Sequence, residues 1–190
     1  MKTKLIWVSA LMIMWGFTAC NSSSDTNDST TADTAVMSAD SASDAQDEDT
    51  EFMNEAASGG MMEVELGQLA ANKAVSADVK KFAKMMVDDH TKANNELKSL
   101  AAQKGITLPV MLMEKHQKMV NDLTAKTGKE FDKEYMNMMV DDHKEDIDAF
   151  EKAAEKGNDA DLKAFAAKTI PTLKQHLEMA EKTEKITDKM

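Results

Sequence analysis

Two segments that lie 53 residues apart decide the fold: Lys80-Lys-Phe-Ala-Lys-Met-Met-Val-Asp-Asp-His90 and Lys133-Glu-Tyr-Met-Asn-Met-Met-Val-Asp-Asp-His143. The string Met-Val-Asp-Asp-His is identical in both, and a Lys-Gly pair follows each segment about four turns later. Apolar residues recur in both segments with the period of an α-helix. Two copies are too few for a solenoid, so the repeat predicts a duplicated helical unit.

Outward from the repeat, period-3.6 patterning predicts five amphipathic helices, over residues 51–75, 77–104, 109–126, 129–156 and 159–187. Ser76 is a candidate N-cap, Gly105 and Gly157 end the second and fourth helices, and Pro171 should kink the fifth. Gly60 and Gly67 lie on one face of the first helix, where they would let another helix approach closely. Two long helices, a shorter one and two more long ones predict an all-α fold, an up-down four-helix bundle with an extra crossover helix.

The composition supports this fold class and excludes several functions. The 190 residues include 7 Gly and 2 Pro, too few for a many-turned β-sandwich or barrel. All 23 basic residues are Lys, and 34 acidic residues bring the net charge to −11, which argues against a nucleic-acid partner. The single cysteine excludes an intramolecular disulfide and any Cys-x-x-Cys motif.

The first twenty residues predict export and a lipid anchor. Lys2 and Lys4 precede an apolar run that ends at Phe17, which is the length of a signal-peptide core. Phe17-Thr-Ala-Cys20 resembles the bacterial lipobox, so residues 1–19 are predicted to be a lipoprotein signal peptide and Cys20 the lipidated first residue of the mature chain. The alternative is an ordinary signal peptide with an incidental cysteine. The expected location is the bacterial cell envelope, anchored in the membrane, with the outer membrane facing the periplasm or the cell surface as the first choice.

Residues 20–50 are predicted to be an acidic, disordered tether. From Asn21 onward this segment consists mostly of Ser, Thr, Asp, Ala and Asn, carries eight acids and contains no basic residue. Such a sequence cannot bury enough apolar surface to offset the entropy lost on ordering. The folded domain is therefore expected to be residues 51–190.

Four histidines, one on each predicted helix from the second to the fifth, suggest a site. His90, His116 and His143 fall on the apolar stripes of their helices, His176 falls at the edge of its stripe, and Glu63 lies near the apolar face of the first helix. Counted from the turns, all five lie near mid-helix, so they are predicted to converge on one layer of the bundle. Imidazole nitrogens with a carboxylate suit a transition metal ion such as zinc, iron or copper. The alternatives are hydrogen-bonded core histidines and a pH-sensitive polar core.

Other residues near the histidines receive structural interpretations. The four aspartates of the repeated motif are expected mainly to form a solvated face, with orientation of an imidazole by Asp89 or Asp142 as the alternative; they are Asp88, Asp89, Asp141 and Asp142. The chain contains 17 Met, and Met85-Met86 and Met138-Met139 flank the repeated histidines. We interpret these methionines as flexible core residues, with a copper(I) site as the less favoured alternative.

The ordered motifs resemble those of a known bacterial family, the domain of unknown function 4142. They are Glu63-Val-Glu-Leu-Gly67, Met86-Val-Asp-Asp-His90, Gly105-Ile-Thr-Leu-Pro109, Phe131-Asp132 and Pro171-Thr-Leu-Lys-Gln-His-Leu177. The resemblance implies a ferritin-like bundle in an exported or outer-membrane protein, and it implies no particular activity. Ferritin-like di-iron proteins use Glu-x-x-His on two helices, but Val87, Val140 and Leu173 stand three residues before His90, His143 and His176.

These observations leave three functional hypotheses. The favoured one is a lipid-anchored envelope protein whose bundle binds a metal ion or small ligand through Glu63, His90, His143 and His176, with His116 as an accessory residue. The second is a non-catalytic structural or interaction module of the envelope. The third is an oxidoreductase of the ferritin-like type, which the missing Glu-x-x-His pair disfavours; a non-enzymatic role is therefore preferred.

Overall fold

The structure is a computed structural model that describes the backbone of residues 37–190 and the side chains of residues 47–190. It contains five helices within that range: α1 (Met37–Lys73), α2 (Ala77–Lys104), α3 (Glu114–Thr124), α4 (Gly128–Lys156) and α5 (Ala160–Thr187). α1 pairs with α2 and α4 with α5, while contacts between α2 and α5 and between α1 and α4 close the ring. The predicted four-helix bundle with a crossover helix is confirmed. No helix in this range is both long and apolar enough to span a membrane.

Two buried aspartates tie the helix connections together and show how the helices run. Asp132, near the start of α4, accepts hydrogen bonds from the backbone N–H groups of Val75 and Ser76 at the start of α2. α2 and α4 therefore begin at the same end of the bundle and run parallel. Asp49, early in α1, accepts in the same way from Asn158 and Asp159 at the turn between α4 and α5.

Two helix boundaries differ from the sequence prediction. α1 begins at Met37 and not at residue 51, so residues 37–50 are helical and the domain boundary expected at residue 51 lies inside α1. The contacts of Asp49 give this extension a fixed partner at the far turn. α3 begins at Glu114 and not at residue 109; the segment before it is not helical, and its residues Ile106 and Leu108 pack against the core. The predicted signal peptide, Cys20 and the tether as far as residue 36 lie outside the described residues.

Glycines occupy a helix end and the close contacts between helices, as the sequence predicted. Gly105 adopts φ 70° at the end of α2, a left-handed conformation that favours glycine. A Cβ at Gly60 would lie 2.1 Å from Asn94 Oδ1, and one at Gly67 would lie 3.0 Å from the Ala83 carbonyl oxygen. Both glycines therefore let α1 approach α2, as predicted. Ser76 is the N-cap residue of α2 without a side-chain cap bond, because Asp132 holds that turn.

The core has two apolar clusters with a polar layer between them. The upper cluster contains Met62, Met86, Met136 and Met139, which are fully buried, and half-buried Met85 and Met138 pack against it. The interpretation of the methionines beside the repeated histidines as core residues is therefore confirmed for Met86 and Met139. The lower cluster is built around Leu97, Ile147, Phe150 and other apolar residues. Along every long helix, the buried histidine or glutamate lies between residues of the two clusters. These four residues are Glu63, His90, His143 and His176.

Candidate metal centre

The polar layer brings one side chain from each long helix to the bundle axis. The ring centroids of His90, His143 and His176 lie 5.2 to 5.6 Å apart. One ligand atom from each of these rings can be chosen so that all three lie within 4.8 Å of one another. Glu63 reaches the same layer from α1, with its Oε2 atom 2.6 Å from His90 Nδ1. The predicted convergence of these four residues is present in the structure.

Hydrogen bonds fix which nitrogen of His143 can bind a ligand. Its Nδ1 lies 2.9 Å from the carbonyl oxygen of Met139. A carbonyl oxygen only accepts, so Nδ1 carries the ring proton and Nε2 of the neutral ring presents a lone pair. That Nε2 lies 3.4 Å from His176 Nδ1 and 3.5 Å from Glu63 Oε1. The free lone pair of His143 therefore points into the centre of the layer.

His176 is oriented in the same way by Asp89. The Nε2 atom of His176 lies 2.9 Å from Asp89 Oδ2, and because a carboxylate accepts, Nε2 carries the proton. The lone pair of His176 is then on Nδ1, which faces the lone pair of His143 Nε2 at 3.4 Å. Two acceptors at this separation repel each other unless a positive charge lies between them. The alternative that Asp89 orients an imidazole is confirmed.

A proton is a poor occupant for that gap. Burial lowers the pKa of His143 to about 3 and the pKa of His90 to about 4. Burial also lowers the pKa of His176, whereas the hydrogen bond that the ring donates to Asp89 raises it. The three rings are therefore neutral at pH 7, the form in which imidazole binds metal ions.

Glu63 is the acidic member of the layer, and its hydrogen bonding is incomplete. The side chain is 1% exposed. Despite the short separation from His90 Nδ1, neither carboxylate oxygen forms an aligned hydrogen bond with any described residue, and the same holds for His90 Nε2. Burial raises the pKa of Glu63 well above its usual range. Burial therefore favours the neutral, protonated form of this carboxyl group, and a bound cation would favour loss of the proton.

His116 lies apart from this layer. It is buried on α3, and its Nδ1 lies 2.6 Å from Ser58 Oγ, which also accepts from the backbone N–H of Met113. It is not part of the histidine group whose ligand atoms converge. The sequence hypothesis made His116 an accessory residue of the metal site. In the structure His116 instead forms a hydrogen bond that connects α3 to α1.

Two further carboxylates border the layer from α4. Asp142 approaches Glu63 and His143 closely enough for ligand atoms of all three to lie within 4.8 Å of one another. Asp146 lines a small cavity of about 20 Å³ beside Glu63 and His90, which is room for about one water molecule. Burial raises the pKa of Asp146 to about 8.

From the sequence, Asp142 was identified as a possible partner of an imidazole, whereas Asp146 was not identified. At 100° per residue, Asp146 falls within about 60° of His143 on α4, so the helical period could have found it. The 53-residue repeat pairs Asp146 with Ala93, so comparison of the two repeat copies does not identify Asp146 as a site residue. Asp88 and Asp141 are exposed, as predicted.

The fold and the layer define a class, the helical bundles that carry a polar, metal-compatible centre between two apolar core clusters. Within that class, this chain belongs to the family described as Domain of unknown function (DUF4142), whose profile matches residues 34–183. The family expected from the sequence motifs is therefore confirmed. No curated protein matches the chain in sequence.

Several solved structures share the fold. The structure titled "CopM in the Cu(II)-bound form" is 15% identical, covers 72% of this chain and 95% of its own, and superposes with a TM-score of 0.61. The Cu(I)-bound form of CopM is 16% identical over 70% of this chain and 93% of its own, with a TM-score of 0.60. A DUF305 fragment from Deinococcus radiodurans is 9% identical over 75% of this chain and 97% of its own, with a TM-score of 0.63. At these identities the likeness shows the fold.

Proposed function

We propose that this protein binds a transition metal ion through His90, His143, His176 and Glu63, and that copper is the first candidate. The observation that carries the proposal is the pair of lone pairs, on His143 Nε2 and His176 Nδ1, that face each other 3.4 Å apart in a buried layer. A metal ion satisfies both nitrogens at once, whereas burial disfavours the proton that could otherwise do so.

The chemistry of the donor set narrows the metal. Three neutral imidazoles and one carboxylate suit copper, zinc, iron or nickel better than magnesium or calcium. Among divalent first-row ions, a nitrogen and oxygen site binds Cu²⁺ most tightly. Structures of CopM, which share this fold, hold Cu(II) and Cu(I). Zinc and iron remain the comparison metals for the experiment.

The test is equilibrium binding to the purified protein, prepared without an affinity tag. Addition of Cu(II), Zn(II) or Fe(II) should raise the melting temperature, because a ligand selective for the native state stabilises it. We expect one ion per chain by elemental analysis, and we expect proton release into a weak buffer as Glu63 loses its proton.

Matched histidine variants make this test specific. His90→Ala should abolish the thermal shift, while His116→Ala, which removes an equally buried imidazole outside the layer, should keep it. The proposal is wrong if no metal shifts the melting temperature of the wild-type protein, or if both variants respond alike.

We also propose that the bundle is held at the bacterial cell envelope by lipid on Cys20. The support is the sequence alone, in which a lysine-flanked apolar run ends at a lipobox-like tetrapeptide containing the chain's single cysteine. Several acyl chains on one cysteine give durable anchoring. When the protein is expressed in a bacterium, wild type should sediment with membranes and Cys20→Ala should not; equal distribution would contradict the anchor.

A further inference from the structure

A groove between α1 and α4 runs from the surface towards the polar layer. Its volume is about 420 Å³, and the start of α3 borders it through Lys115 and His116. Five carboxylates line it against the one ammonium group of Lys115. They are Glu51, Glu55, Asp142, Glu145 and Asp146. Burial raises the pKa values of Asp142 and Asp146, so the excess of negative charge near pH 7 comes mainly from Glu51, Glu55 and Glu145, and this excess concentrates cations.

At the end of the groove nearest the polar layer lie buried oxygen atoms that form no aligned hydrogen bond with any described residue. Asp142 lines the groove and also comes within 4.8 Å of the ligand atoms of Glu63 and His143. Asp142 Oδ2 and both oxygens of Glu63 are buried without an aligned hydrogen bond to any described residue. Glu63 is buried and Asp142 is half-buried, and two neighbouring carboxyl groups in this state need a cation or a shared proton.

The internal repeat shows that Asp142 has diverged from its counterpart. Asp89 on α2 corresponds to Asp142 on α4, and Asp89 hydrogen-bonds to His176 of the neighbouring helix α5. Asp142 instead meets an acid, Glu63, on its own neighbouring helix α1. One half of the bundle thus pairs the aspartate with an imidazole, and the other half pairs it with a second carboxyl group.

We propose that Asp142, Glu63 and His143 form an outer cation position at the inner end of this groove, through which divalent first-row metal ions reach the site formed by His90, His143 and His176. This inference rests on the proposed metal binding. The outer position offers mainly oxygen, which suits a partly hydrated incoming ion, and the inner one offers mainly nitrogen, which holds Cu²⁺ more tightly.

His143 connects the two positions and makes them alternatives. Its Nδ1 is engaged by the Met139 carbonyl oxygen, so its single free lone pair on Nε2 binds one ion at a time. Glu63 contributes to both positions. An ion therefore moves from one to the other by exchanging Asp142 for the imidazoles of His90 and His176, and the stoichiometry stays at one ion per chain.

The test separates the rate of uptake from affinity. Purified protein is mixed with Cu(II) in a stopped-flow instrument and the visible absorption of the bound ion is followed, with release measured by adding a strong chelator. Asp142→Asn should slow uptake about tenfold by removing the outer position and its charge. Release should slow by a similar factor, so the equilibrium dissociation constant should change by less than about threefold, since a lost transit position slows both directions equally.

Two other variants serve as controls. Asp141→Asn makes the same change of charge one residue away on the solvent side of α4, and its uptake should match that of wild type. Lys115→Met removes the positive charge at the groove, where Lys115 pairs with Glu55, and it should accelerate uptake about threefold.

The outcomes of the uptake experiment can be distinguished from those of the equilibrium binding experiment that tests the metal site itself. If Asp142→Asn takes up copper as fast as Asp141→Asn, or weakens equilibrium binding while release accelerates, the outer position is wrong although the inner site stands. If Lys115→Met does not change the rate, the groove is not the route. If wild type binds no copper at equilibrium, both proposals fail.

Discussion

At the scale of single residues, the centre depends on groups that orient the ligands as much as on the ligands themselves. His143 is fixed by the carbonyl oxygen of Met139, and His176 is fixed by Asp89. Each of these bonds places a proton on the outward nitrogen and leaves the inward nitrogen free. Without such partners a neutral imidazole could present either nitrogen to an ion in the proposed site, and the site would lose definition.

The first prediction concerns Asp89. Asp89→Ala should weaken Cu(II) binding about 10- to 100-fold, because His176 loses the acceptor that fixes its tautomer and ring orientation. Competition titration with a chelator of known affinity measures the change. Asp88→Ala, an exposed neighbour with the same change of charge, is the control, and equal affinities for the two variants would show that Asp89 does not orient the ligand.

The second prediction concerns pH and the metal-free protein. Burial raises the pKa of Asp146 to about 8, so protonated Asp146 stabilises the fold below its ordinary pKa, and this stability is lost as the pH rises towards 8. Asp146→Asn stays neutral throughout. Its stability relative to wild type should therefore increase between pH 5 and 8, by up to about 1.4 kcal/mol per pH unit.

Urea unfolding at a series of pH values measures this difference. The histidines of the layer, whose pKa values burial lowers, destabilise the fold as the pH falls below about 6.5. Because the charge of Asp146 raises the pKa of His90, this effect differs between wild type and variant, so the two proteins are compared above about pH 6.5. A stability difference that does not change with pH would show that Asp146 is ionised in the folded state throughout this range.

At the scale of elements, two aspartates fix the helix connections. Asp132 is fully buried and accepts from two backbone N–H groups at the short turn between α1 and α2. Asp49 does the same for the turn between α4 and α5. Because buried N–H groups are costly to leave without an acceptor, these carboxylates stabilise the turns from a different helix.

The third prediction follows from Asp132. Asp132→Ala should lower the free energy of unfolding by about 2 to 4 kcal/mol, because it leaves the N–H groups of Val75 and Ser76 without their acceptor and opens a small cavity. Asp141→Ala on the exposed face of the same helix should leave stability nearly unchanged. Chemical denaturation measures both, and similar unfolding curves would contradict this role of Asp132.

At the scale of the whole molecule, the first helix extends further than the composition suggests. The composition of residues 37–50 predicts a disordered tether. However, α1 includes these residues, and Asp49 accepts hydrogen bonds from the turn between α4 and α5. Asp49 therefore belongs to the packed bundle, and we expect the boundary between tether and domain to lie near residue 37 and not at residue 51.

The fourth prediction tests that boundary. A chain that starts at Met37 should be more stable to urea by about 1 to 3 kcal/mol than one that starts at Glu51, because the shorter chain leaves the N–H groups of Asn158 and Asp159 without the Asp49 carboxylate. Asp49→Ala in the longer chain should reproduce most of the difference. Equal stability of the two chains would place the domain boundary back at residue 51.

The sequence by itself determined the fold class, the family, and four residues that meet at the centre. Helical period and depth are local properties, and they were enough to place Glu63, His90, His143 and His176 at one level of four helices. The repeat and the low content of Gly and Pro could also be identified from the sequence, because both are properties of the linear chain.

Only the tertiary structure decided how those residues work together. That His116 bonds to Ser58, that Asp142 meets Glu63, and that half-buried Asp146 lies beside the layer are relations between helices, set by which faces pack and by how α3 crosses the α1 and α4 edge. The contact between Asp49 and the turn after α4 likewise joins residues that are 109 positions apart. No periodicity along one helix encodes the rotation of its neighbour, and that rotation determines which lone pairs face each other.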